Sequence, residues 1–340
     1  MLGRLLGGVA YSLLFSVFEA WLINAHNDHG IKSYLSKSFG YAAYANSVIA
    51  IVAGLVAHHA ASSNKMQPVQ EEFLYRGGFI NPFDIALCGL IACGLLAMTT
   101  WEENYGDDNI SKHSTESKWY QGLKNGFITT VRNQDILLCG IISSLFEGSM
   151  YIFVFMWTPA LTAAAQADDA LPFGLIFSTF MVSCMAGSSL FSIHIETYKV
   201  ERLAVWVLGA ATISMALITA TSDMTLKFIA MNLFELTIGM YFPIIGTMKS
   251  MIVPDSNRVA IYNLYRIPLN FIVLFSLLTD LTPTQSFGLN FGMLLTATVL
   301  QCVLMKRREM IGVSSSGDDE TPEKEQLDEA VALLEMQEDI

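Results

Sequence analysis

Nine long apolar stretches leave this 340-residue sequence few folds to choose from. They run about 2–24, 38–61, 83–101, 134–158, 172–194, 202–221, 226–248, 259–281 and 286–305. A helix of about 20 apolar residues matches the hydrocarbon thickness of a bilayer. Inside lipid every backbone N–H and C=O must be satisfied by the protein itself, so only helices and closed barrels can span it. Barrel strands would read as alternating segments of about 10 residues. The expected fold is therefore all-α, a polytopic membrane bundle of about nine transmembrane helices. Composition agrees: 53% of residues are hydrophobic and 15% charged, against about 25% charged in a soluble domain.

Three acids interrupt the apolar stretches in one repeated context. Glu19, Glu147 and Glu235 each directly follow a phenylalanine, and these are the only Phe-Glu steps in the chain. An ionisable group at membrane depth costs about 2.5–3.5 kcal/mol on insertion scales. Its repetition points to internal duplication, and its charge to a polar pathway.

Basic residues set the expected orientation. Lys306, Arg307 and Arg308 directly follow the last span, which places the C-terminus in the cytosol. Counting back, fourteen Lys/Arg fall inside, four (Arg4, Lys65, Arg76 and Lys227) outside, and Arg266 within a span. In this count Lys249 and Arg258 belong to a cytosolic loop. The net charge of −12 is concentrated in the tail, where eleven acids and four bases follow Met305.

Several function classes find no support. The five cysteines all fall in predicted spans, with no CxxC, disulfide framework or zinc spacing. There is no Walker A loop and no dinucleotide fingerprint. No nucleophile, base or metal constellation converges, so no enzyme, cofactor or nucleic-acid partner is expected.

Grouped in threes, the spans put each glutamate in the first helix of a triplet, and three-helix repeats build the major facilitator transporters. Particular residues carry a closer likeness: Gly3-Arg4-Leu5-Leu6-Gly7-Gly8, Leu14 to Trp21, Trp101 to Tyr105, Phe153 to Pro159, Tyr241-Phe242-Pro243 and Arg266-Ile267-Pro268-Leu269-Asn270. Over residues 1 to about 308 the chain resembles the molybdate-anion transporter family of the major facilitator superfamily. The resemblance implies twelve spans and aligns this chain from the fourth. The first three would then be absent, with the Asp-x-x-Gly-Arg-Lys loop between the second and third. Two explanations stay open, a sequence missing its beginning and a short protein. The implied organisation is 1–101, a partial N-terminal bundle; 102–133, a cytosolic linker; 134–305, a six-helix C-terminal bundle; and 306–340, an acidic tail. Within the tail, 326–337 can form a short amphipathic helix.

The candidate pathway residues are Glu147, Glu235, Arg266, Glu19 and Arg4. Glu147 lies about 20 Å into its span at 1.5 Å per residue. It reads as a substrate contact or proton carrier, or as a protonated acid bonding a neighbouring helix. Glu235 carries the same two readings. Glu19 is nearer the cytosolic end and favours an inter-helix or interfacial contact. The Arg266 guanidinium forks onto oxyanions, while snorkelling or pairing with a glutamate competes. Arg4 reads as structural by analogy with the superfamily. Gly7-Gly8, Gly187 and Gly239 are expected to allow close helix approach.

The resemblance implies a secondary transporter of molybdate working by alternating access, with proton coupling as a way to reconcile acids with an anionic solute. Alternatives are a sugar or other small metabolite, or a non-transporting membrane protein. The expected partners are the solute and the lipid bilayer, with a monomer favoured and the plasma membrane favoured over an internal one.

Overall fold

The computed structural model describes residues 2–14, 16–70, 74–102, 119–165 and 171–318. The elements in order are α1 (Leu2–Leu14), α2 (Val17–Asp28), α3 (Leu35–Ser63), strands β1 (Gln67–Gln70) and β2 (Leu74–Arg76), and α4 (Asn81–Thr100). Then come α5 (Trp119–Arg132), α6 (Gln134–Ala164), α7 (Phe173–His194), α8 (Val200–Ala220), α9 (Met224–Ile252), α10 (Arg258–Leu278) and α11 (Pro283–Asp318). The strands pair antiparallel, Gln67 opposite Arg76 and Pro68 opposite Tyr75.

Among the described residues, eight helices are long and apolar enough to cross a membrane. The stretch 2–24, read above as one span, is two helices. Ser16 leaves the helical conformation at φ −127° and ψ −47°, and α2 starts anew at Val17. Serine competes for the backbone with its own hydroxyl, which weakens a helix interior. Two further boundaries differ from the sequence reading. Residues 119–132 of the expected linker form α5, and the last helix continues past 305 to Asp318. The remaining linker residues 103–118 and the tail segment 326–337 lie outside the described residues.

Helices α6 and α9 are the most enclosed and α4 the least. The main core lies wholly among α6 to α11 and is rich in aromatics. Phe146 stacks on Tyr241 at 3.8 Å between ring centroids and meets Phe234 at 6.0 Å. Phe153 packs against Phe180, Phe234 and Phe287. Two of the three Phe-Glu steps therefore meet in one core. The third does not: Phe18 is exposed and touches Trp101, which stacks on Trp21 at 4.3 Å.

Helix α7 packs on α9, and both pack on α3. A methyl on Gly187 would collide with the Leu236 carbonyl, and one on Gly239 with the Cys184 carbonyl. These two glycines set the depth of the α7–α9 crossing. Gly7 and Gly8 have nothing within 4 Å of where a Cβ would lie, so among the described residues they permit no close approach. Helix α4 turns Phe83, Leu87, Leu90, Ile91 and Leu95 outward, a contiguous apolar face suited to lipid.

One end of the bundle is closed by polar contacts. Lys37 Nζ meets Glu196 Oε1 at 2.8 Å. Arg258 Nη1 donates to Asn24 Oδ1 at 2.8 Å, and its Nη2 to Val253 O and Asp255 Oδ1. Asn27 donates to Asp255 at 3.3 Å.

Candidate functional site

Four helices converge on a small pocket of about 50 Å³. From α2 comes Glu19. Helix α6 supplies Ser143 and Glu147, four residues apart and so on one face. Helix α9 supplies Phe242, Ile245 and Lys249, and α10 supplies Tyr262, Tyr265 and Arg266 at similar helical spacing. The pocket thus brings together three of the sequence-predicted residues, Glu19, Glu147 and Arg266.

Its polar groups are unequally satisfied. Tyr241 donates to Glu147 Oε1 at 3.4 Å. The Tyr265 hydroxyl is spent on Ile136 O at 2.7 Å, and that of Ser143 on Gly140 O at 3.0 Å. Lys249 Nζ lies 4.0 Å from Glu19 Oε2, an ion pair too long for a hydrogen bond. It also sits 5.1 Å from the Tyr262 ring centroid, a cation–π distance. Among the described residues, the other carboxylate oxygen of Glu19 and the Tyr262 hydroxyl are buried without a hydrogen-bond partner.

Lys249 is the residue that sequence reasoning missed. Counted as a loop cation, it lies in the last turn of α9 and is 8% exposed. Phe242 and Ile245 place it on the pocket side of the helix, and that heptad-like spacing was the available signal. Arg258, also counted as a loop residue, is 2% exposed and pinned at the closed end. Of the two contacts expected of Glu19, inter-helix or interfacial, the structure has the inter-helix one, an ion pair from α2 to Lys249 on α9.

Glu235 stands apart. It is fourteen residues before Lys249 on one helix, about 21 Å along the axis, and cannot share the small pocket. It lines a second cavity of about 480 Å³ between α3, α6, α7 and α9. The walls are largely apolar, including Met150, Trp157, Phe180 and Met181, with Asn46, Ser47 and Cys184 as polar points. Glu235 is 6% exposed, and no hydrogen bond or ion pair reaches it among the described residues. Glu19 and Phe242 line both cavities. Arg4 lies on α1, well away in sequence from every helix of the small pocket except α2. No group of His, Cys, Asp and Glu suited to a metal occurs among the described residues.

A charged pocket beside a larger apolar cavity, both walled by helices distant in sequence, is a concave site of the kind that takes a small solute. Comparison with known proteins agrees. Residues 1–235 match a family model described as sugar transporters with 12 transmembrane helices. A molybdate-anion transporter of Xenopus tropicalis is 32% identical over 280 residues, which is 79% of this chain and 57% of that protein. One from Danio rerio is 30% identical over 304 residues, 82% of this chain and 60% of that protein. The chain thus spans less than two thirds of the length of these relatives. Among solved structures, the major facilitator transporter FucP in its outward conformation superposes with a TM-score of 0.59 at 13% identity, over 80% of this chain and 69% of that one. A second structure of the Escherichia coli fucose:proton symporter gives 0.50 at 14% identity, over 66% of this chain and 54% of that one. At these identities the solved structures speak for the fold alone. The chain is a polytopic membrane protein of the major facilitator superfamily, and it belongs to the twelve-span transporter family whose model its first 235 residues match.

Proposed function

We propose that this chain is a secondary transporter of a molybdate-type oxyanion, working by alternating access. The observation that carries the proposal is the convergence of Lys249 and Arg266, each within a candidate membrane span, on one small pocket. Cations inside a span are costly and mark solute or ion pathways. The molybdate-anion transporters that the chain resembles support the same solute class. Size supports it too. At about 10–15 Å³ for one water, the 50 Å³ pocket holds about three to five water-sized bodies. That suits a tetrahedral oxyanion, a central atom with its oxygens, and excludes a sugar ring.

By the placement of Lys/Arg the closed end faces the cytosol, as does the C-terminus. The domain division 1–101, 102–133, 134–305 and 306–340 belongs to the same reading, with rocking between the first and third parts, and the plasma membrane as the favoured site. Proton coupling through Glu147 and Glu235 would offset the charge of the incoming anion.

A second reading is a sugar or other neutral metabolite. It draws on the family description and on the 480 Å³ cavity, within the range of about 300–1,000 Å³ for small-molecule sites. Uptake of labelled molybdate into vesicles, competed by tungstate, sulfate and sugars, separates the two. Competition by oxyanions and none by sugars is expected; the reverse pattern would overturn the proposal. Uptake that ignores pH and survives Glu147→Gln together with Glu235→Gln would refute proton coupling through these acids.

A further inference from the structure

We infer that the Lys249 ammonium and the Tyr262 hydroxyl form the oxyanion subsite, and that Glu19 is its internal counter-ion, displaced when the anion binds. The inference deepens the oxyanion-transporter reading and rests on it. It starts from an accounting of buried polar groups. A buried donor without an acceptor costs about 1–3 kcal/mol, so each one calls for a partner. Lys249 has three N–H donors and, among the described residues, no acceptor within hydrogen-bond reach; its nearest acid is 4.0 Å away. The Tyr262 hydroxyl is buried with no hydrogen-bond partner among the described residues.

The other hydroxyls of the pocket are already used, Tyr265 by Ile136 O and Ser143 by Gly140 O. The surplus is therefore specific: a cation and a phenol whose ring lies beneath it. Both want an acceptor, and an acceptor with several oxygens and negative charge satisfies them together. The pocket's size limits that acceptor to a compact ion.

Glu19 supplies the charge balance in the absence of such an ion but does so poorly. One of its oxygens reaches Lys249 only at long range, and the other has no partner. A carboxylate held this loosely is displaceable. Glu19 also lines the larger cavity, so it stands between the two, where an arriving anion must pass it. Glu147, bonded by Tyr241, faces the same pocket and adds repulsion, which makes the Lys249 charge the more necessary.

The test uses the purified chain in detergent, titrated with sodium molybdate and sodium sulfate against chloride at constant ionic strength. Binding is read by calorimetry and thermal unfolding. Lys249→Gln is expected to raise Kd at least tenfold, and Lys249→Arg to retain most of the affinity. Tyr262→Phe, which removes one atom, is expected to raise Kd about tenfold, as for a hydrogen bond to a charged group. Glu19→Gln is expected to act in the opposite direction and lower Kd several-fold. If Lys249→Gln and Glu19→Gln both reduce stability and leave Kd unchanged, the pair is a structural strut and the inference is wrong. It is equally wrong if the unaltered chain binds neither anion. Vesicle uptake separates this from the transport reading. Binding that follows these variants without molybdate uptake sinks the transport reading alone. Molybdate uptake with unchanged KM in Lys249→Gln and Tyr262→Phe sinks the subsite alone.

Discussion

Replacing Gly239 by alanine tests whether the α7–α9 crossing sets the geometry of the cavities. The added methyl would fall inside the van der Waals surface of the Cys184 carbonyl. That atom is backbone, so no side-chain rotation relieves the clash. The helices must separate by on the order of 1 Å, a gap that forfeits about a quarter to a half of each contact it opens. Overpacking costs about 1–3 kcal/mol, and the upper end is expected here. Gly187→Ala meets the Leu236 carbonyl in the same crossing and should cost as much. The two should not add. Once one methyl has parted the helices, the second finds the space already open, and the double variant should lose about as much as either single one. Gly209→Ala is the control, because nothing lies within 4 Å of its Cβ position; the gain in helix propensity should leave it neutral or stabilised by up to about 1 kcal/mol. Thermal unfolding in detergent, followed by tryptophan fluorescence, gives the rank order. Unchanged midpoints for both single variants, or strictly additive losses, would refute the reasoning.

Arg258→Ala should destabilise the closed end by about 3 kcal/mol, the low side of the range for breaking a buried pair, because Asp255 is half exposed and can hydrate; thermal unfolding checks it. Lys37→Met should leave stability at neutral pH unmoved, since Lys37 and Glu196 are 44% and 61% exposed. The Lys37 hydrogen bond and charge hold the Glu196 carboxyl below the usual carboxylate range. A lowered folded-state value means the contribution is present above the ordinary carboxylate range and is lost as pH falls through the lowered one. Acid should therefore weaken this contact in the parent chain and not in Lys37→Met, as read by comparing the pH dependence of thermal unfolding of the two chains. Cys184 lines the larger cavity, so a small water-soluble thiol reagent should label it in the detergent-purified chain, whereas Cys139, fully buried, should stay unlabelled.

The sequence by itself determined the fold class. Backbone polar groups cannot go unpaired in lipid, so a run of apolar residues of bilayer length has one outcome: the stretches 134–158 and 226–248 lie inside α6 and α9, and 202–221 overruns α8 by one residue. The Phe-Glu steps were equally legible as marks of repetition. What each acid faces was not. Glu147 and Glu235 look alike in sequence, yet they line two different cavities, one beside Lys249 and Arg266 and the other walled by apolar side chains. Glu19 read as an inter-helix or interfacial contact, and only the structure shows that its partner is a buried lysine. Lys249 looked like a loop cation because a hydropathy window ends a span where charge begins. The helix does not end there: α9 continues to Ile252, and its neighbours α2 and α10 enclose that last turn. Apolarity along the chain is a local property and can be read residue by residue. Which charges meet is decided by how helices distant in sequence cross, and only the tertiary structure holds that information.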